Sequence, residues 1–103
     1  MLTIGTFTKH GNNYTGEIRT IGLAIVAEVR AVDAATPKAP NFRVYADTVE
    51  VGAGWLRYNK TGGAFISIRM DDPCLPAPLN AMLIERDGQH LMVWERKEPK
   101  AAE

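Results

Sequence analysis

The sequence predicts a mainly β protein: a small antiparallel sandwich or barrel of about seven to eight short strands. Three observations carry that expectation. Apolar and polar residues alternate over short segments, and clusters of Gly, Asn, Pro and Asp separate those segments at hairpin spacing. The 103 residues leave room for one core, and a single cysteine cannot form an internal disulfide, so burial and hydrogen bonding must hold the fold. Isolated hairpins are marginal in water, which makes the apolar rows depend on one another.

Thr3 to Thr8 sets Ile4, Thr6 and Thr8 against Gly5 and Phe7, and His10-Gly11-Asn12-Asn13 follows as a turn of residues that tolerate positive φ. Tyr14 to Thr20 places Tyr14, Gly16 and Ile18 on one side and Thr15, Glu17 and Arg19 on the other, completing an opening hairpin. From Leu23 to Val32 the residues Leu23, Ile25, Ala27, Val29 and Ala31 form an apolar row, with Glu28 and Arg30 opposite. A helix competes here, because LAIVAEVRAV has good helix propensity. A strand is preferred, since β-branched Ile25, Val26 and Val29 crowd a helix and no clear N-cap follows Gly22. A helix over 23–32 would make the class α+β.

Asp33 to Asn41 contains Pro37 and Pro40 and is the longest loop. Phe42 to Tyr45 reads as a short strand and Val49 to Tyr58 as a longer one, with Val49, Val51, Ala53 and Trp55 sharing a side. That row makes Trp55 a core residue. Asn59-Lys60-Thr61-Gly62-Gly63 is the clearest hairpin turn, leading to Ala64 to Met70, where Ala64, Ile66, Ile68 and Met70 face one way. Asp71 to Pro78 carries three prolines and leaves the ladder, with room for one short helical turn in Asp72 to Leu75. Leu79 to Arg86, a turn at Asp87-Gly88 and His90 to Arg96 close the chain as a hairpin, in which Trp94 is core or an anchor for self-association. Residues 1–96 form one domain, and 97–103 are a charged, frayed tail.

Lys plus Arg equal Asp plus Glu at 12 each, so neither a generic phosphate-backbone binder nor an acidic DNA mimic is indicated. No apolar run reaches the roughly 18 residues of a membrane span, and the N-terminus lacks a signal-peptide layout. A soluble, cytoplasmic protein without membrane partners is expected.

Catalytic chemistry finds little support. Nucleophilic catalysis requires Cys74 or a serine beside an oriented base, and the imidazoles are His10, in an exposed turn, and His90. Cys74 sits between Pro73 and Leu75 in what reads as an apolar plug closing one end of the core. Adjacent Asp71 and Asp72 would diverge on a strand, whereas a metal or an acid/base pair needs convergent carboxylates. No CxxC, paired histidines or phosphate-binding glycine loop is present, so no catalytic residue, metal or cofactor is assigned.

Glycines 5, 16, 52 and 54 interrupt strand patterns, as bulges or close backbone approaches; alternatively Gly52 and Gly54 clear a shallow groove opposite Trp55. The candidate partner-binding residues are Arg57, Tyr58, Lys60, Arg69 and Arg43, because Arg and Tyr dominate interface energetics. With Trp55 and Tyr45 nearby, the same set could stack bases and follow phosphates of a single strand.

Read in order, Ile4-Gly5-Thr6-Phe7, Tyr14 to Thr20, Lys38-Ala39-Pro40-Asn41-Phe42-Arg43-Val44, Val51-Gly52-Ala53-Gly54-Trp55, Asp71 to Pro78 and the closing Trp94-Glu95-Arg96 resemble the bacterial family called domain of unknown function 736. The resemblance covers about Leu2 to Arg96. It departs at Asn41, where Asp is usual, at Gly54, where Ala is usual, and at Cys74-Leu75, where Ser-Phe is usual. It transfers no activity and no catalytic residues. Its genomic setting, on plasmids and integrative elements beside conjugation, partition and anti-restriction genes, implies a mobile-element accessory protein and a counter-defence role against restriction or CRISPR.

The expected function is therefore a non-enzymatic protein-binding module that acts stoichiometrically on a protein or protein–nucleic acid assembly of the bacterial host, with self-association as a further possibility. The alternative is a single-stranded nucleic-acid-binding protein.

Overall fold

The computed structural model describes residues 2–94. The eight strands are β1 Leu2–His10, β2 Asn13–Thr20, β3 Leu23–Ala31, β4 Phe42–Ala46, β5 Val49–Tyr58, β6 Ala64–Met70, β7 Leu79–Arg86 and β8 Gln89–Trp94. Each pairs antiparallel with the next, and β8 returns to β1, so the sheet closes into a barrel. Closure leaves no full-length edge exposed, and an eight-stranded interior is just wide enough for side chains to fill. Among the described residues there is no helix: the segment expected at 23–32 is a strand over Leu23–Ala31, and the class is all-β. The expected helical turn at Asp72 to Leu75 is a single hydrogen-bonded turn, Leu75 N–H to Asp72 C=O at 2.8 Å.

Alternation dictates which face points inward. In β3, Ala27 and Val29 are buried while Ala24, Val26 and Arg30 are exposed. In β6, Ile66, Ile68 and Met70 are buried, and in β2 Ile18 is fully so. Ile18, Val29, Val44, Ile68, Met70 and Met92 fill the centre, each contributing roughly 1.5–3 kcal/mol relative to exposure. Trp94 is half-buried and packs against this cluster. Ile4 and Phe7 are both buried although their positions have opposite parity, because a bulge between Thr3 and Gly5 inserts one residue opposite β8.

Strand β5 overturns one expectation. The row Val49, Val51, Ala53 and Trp55 does not line the core as a unit: Gly52 faces Met70, Gly54 faces Ile68 and Leu56 faces Ile66, so from Gly52 onward the even positions of β5 point inward. Before the register shift opposite Val44 and Tyr45 it is Val51 that packs on the core and Glu50 that reaches Arg43 outside. Trp55 is half-buried on the outer wall. The inward glycines mark a close approach rather than a groove. A Cβ on Gly52 would strike the Arg69 carbonyl oxygen and lie 2.9 Å from Met70 Cα, and one on Gly54 would lie 2.9 Å from the Ile66 side chain.

The barrel has two ends. One gathers the His10–Asn13 turn, the 32–41 loop, the 59–63 turn and the Asp87-Gly88 turn, where φ of 53° and 78° matches a two-residue hairpin. The other gathers the 21–22 and 47–48 turns and the proline segment 71–78. That segment does not bury its cysteine: Cys74 is exposed, and Leu75 is half-buried beside an apolar cleft with Ile25, Val49 and Val51. The prolines keep 71–78 off the ladder, and Leu75 shares its cleft with buried Met70. The expected tail at 97–103, and Glu95 and Arg96 of the expected last strand, lie outside the described residues.

Candidate interaction face

Outward positions of β3 to β6 form the most chemically distinctive surface. The pairing register sets Arg30 opposite Arg43, Arg43 opposite Ala53 and Ala53 opposite Arg69. Neighbouring strands lie about 4.8 Å apart, so three guanidinium groups spread over roughly 14 Å of barrel wall with only an alanine between them. Trp55 lies one outward position beyond Ala53, and Arg57 one beyond Trp55. Arg43, Glu50, Ala53, Trp55, Arg69 and Asp71 line a shallow depression of about 300 Å³.

Each cation has a defined electrostatic setting. Arg30 donates to Glu28 at 2.7 Å and lies 4.6 Å from the Tyr45 ring centroid, a cation–π stack. That hydrogen bond and the Glu28 charge push the Arg30 guanidinium further above its ordinary value. Arg43 sits 3.8 Å from Glu50. Arg69 has no ion pair among the described residues, and Asp71 shares its depression. Exposed pairs of this kind contribute little to stability, so the face is not explained by the fold's own needs.

Trp55 is anchored rather than loose. Its indole N–H donates to the Lys38 carbonyl at 3.1 Å, the Leu56 N–H donates to Asn41 Oδ1 at 2.9 Å, and the Asn41 N–H donates to the Gly54 carbonyl at 2.9 Å. These bonds pin the end of the 32–41 loop along β5.

The structure thus brings Arg43 and Arg69 together with Trp55 and places Arg57 on the same outward row. Tyr58 and Lys60 are exposed but stand at the end of β5 and in the 59–63 turn, away from the depression. Arg30 was not among the residues expected, although its outward place in β3 was legible from the alternation with Glu28; only the β3–β4 register shows that it meets Arg43.

Of the residues considered for catalysis, Asp72 and Cys74 come together at the apolar cleft, whereas Asp71 lies apart from them and His90 stands at the opposite barrel end. Asp71 lines the arginine depression, while Asp72 lines the apolar cleft at the barrel end. Asp72 Oδ2 accepts the Cys74 N–H at 2.9 Å, and hydrogen bonds from Cys74 hold this carboxyl below its ordinary value. The same carboxylate pushes the Cys74 thiol up, which disfavours the nucleophilic thiolate. Among the described residues no three His, Cys, Asp or Glu side chains are grouped as a metal site would need. No helix among them is long and apolar enough to cross a membrane.

The fold and this face define a small closed antiparallel barrel that carries an arginine and tryptophan patch on its wall. The chain belongs to the family described as proteins of unknown function, DUF736, whose model matches residues 3–97. No curated protein and no solved structure matches it.

Proposed function

We propose that this protein is a non-enzymatic binding module that engages another protein stoichiometrically through the outer wall of β3 to β6, centred on Arg43, Trp55 and Arg69. The observation that carries this reading is the interleaving of charges. Glu28 pairs with Arg30, Glu50 pairs with Arg43, and Asp71 shares the depression with Arg69. A nucleic-acid backbone laid across the row would bring phosphates against those carboxylates, whereas a protein surface can answer both signs. Tryptophan, tyrosine and arginine together form the side-chain set that dominates protein interfaces. The genomic setting implied by the resemblance supports an accessory role on plasmids or other mobile elements, and a counter-defence inhibitor of the anti-CRISPR or anti-restriction type would work by such occlusion, in the bacterial cytoplasm.

A second reading, single-stranded nucleic-acid binding, draws on one specific feature: Trp55 and Tyr45 lie among three arginines on one wall, as a stacking platform requires. Titration of tryptophan fluorescence with a single-stranded oligonucleotide at low and moderate salt, with W55F isolating the Trp55 signal from that of Trp94, separates the two. The proposal expects no saturable binding at moderate salt. Saturable binding with a steep salt slope, lost on R43E, would reverse the order.

A further inference from the structure

We propose that the barrel end formed by Lys9, Tyr14, Glu85 and His90 is a binding site for a small organic carboxylate with an apolar body. The inward rows of β1, β2, β7 and β8 run through buried Phe7, Ile18, Leu83 and Met92. At one end these rows stop being apolar. Two positions beyond Phe7 stands Lys9, two beyond Leu83 stands Glu85, two before Met92 stands His90, and the β2 row ends at Tyr14. The register makes the four contiguous: Lys9 faces Tyr14, Glu85 faces His90, and Phe7 faces His90 across the closing seam.

Their geometry converges. The Tyr14 and His90 rings meet edge to face at 5.2 Å, Lys9 Nζ lies 6.0 Å from the Tyr14 ring centroid, and His90 Nε2 lies 3.7 Å from Glu85 Oε2. They rim a cavity of about 180 Å³ whose wall includes Leu56, Ile66 and Leu83. A cavity of about 150 Å³ with aliphatic walls accommodates a benzene ring, so this one has room for a six-membered ring and one small substituent.

The sheet opens beside it. Pairing of β6 with β7 begins at Ile66 and Leu83, although the register would next match Phe65 with Ile84 and then Ala64 with Glu85. The strands therefore part along Ala64–Phe65 and Ile84–Glu85, all four of which line the cavity. That parting gives a lateral way in. An apolar wall with a few convergent polar groups at a barrel mouth is the usual form of a small-ligand site.

Charge decides the ligand class. Glu85 pairs with His90 when the imidazole is protonated, while Lys9 has no ion pair among the described residues. The cation without a partner at the rim is therefore the Lys9 ammonium, which a carboxylate would answer with a charge-assisted hydrogen bond. The apolar body would then lie on Leu56, Ile66 and Leu83.

The test is an amide chemical-shift titration of the full chain with benzoate, benzamide serving as the neutral isostere. The proposal expects saturable shifts confined to Lys9, Tyr14, Ala64, Glu85, His90 and their neighbours. Binding should weaken about tenfold or more for benzamide and for the K9M variant, whose unchanged spectrum elsewhere shows that it remains folded. No saturable shift, shifts centred elsewhere, or equal binding of benzamide would overturn it. None of these outcomes bears on the outer-wall face, which shares no residue with this cavity.

Discussion

The indole N–H of Trp55 donates to the backbone carbonyl of Lys38 at 3.1 Å, tying the outer wall of β5 to the loop that joins β3 and β4. The ring is thus a clasp between a strand and a loop, and this accounts for a large aromatic residue standing outside the core. Replacing it with phenylalanine keeps most of the packing and removes the donor. W55F should lose about 1 kcal/mol in urea unfolding, the usual net worth of one hydrogen bond. A loss of roughly 3–5 kcal/mol in W55A, the cost of deleting a core aromatic ring, would show that the indole is buried after all.

Gly52 and Gly22 make a paired test of the close strand approach. A methyl group on Gly52 meets the Arg69 carbonyl and the Met70 backbone, whereas nothing lies within 4 Å of the position on Gly22. G52A should destabilise by about 1–3 kcal/mol, the range for overpacking, and G22A should be close to neutral. Thermal melts of the two variants give the comparison directly, and equal melting temperatures would contradict the inward placement of Gly52.

Cys74 should react slowly for an exposed thiol. Asp72 raises its pKa, so less thiolate is present at a given pH, and alkylation by iodoacetamide at mildly alkaline pH should accelerate in D72N. The reciprocal effect on Asp72 has the opposite sign. Its carboxyl is held below the ordinary value of 3.8, so its contribution to stability is present above that pH and is lost as pH falls through the lower folded value. Wild type and D72N should therefore differ in stability near neutrality and converge only under strongly acidic conditions.

Much of the barrel was legible because most strands obey a strict period of two. Leu23, Ile25, Ala27, Val29 and Ala31 announce the inward face of β3, and the even residues of β6 do the same. Strand β5 misleads because its inward row is Gly52 and Gly54, where the barrel wall comes too close for side chains, while Ala53 and Trp55 continue the row of core-packed Val51 on the outside, past a register shift that the sequence does not announce. Arg43 and Arg69 were identifiable as outward cations, but their meeting across Ala53 depends on two inter-strand registers that no local pattern specifies. The rim of Lys9, Tyr14, Glu85 and His90 was hidden for the same reason, since its members come from four strands at opposite ends of the chain.

The central claim, that the outer wall engages a protein, is tested most directly by quantitative capture from a host lysate, comparing the tagged wild-type chain with a folded R43E/R69E variant. The account predicts one protein retained in a fixed, near-stoichiometric ratio by wild type and lost from the variant, with its retention unaffected by nuclease. Equal retention by both chains, or capture that disappears on nuclease treatment, would contradict it.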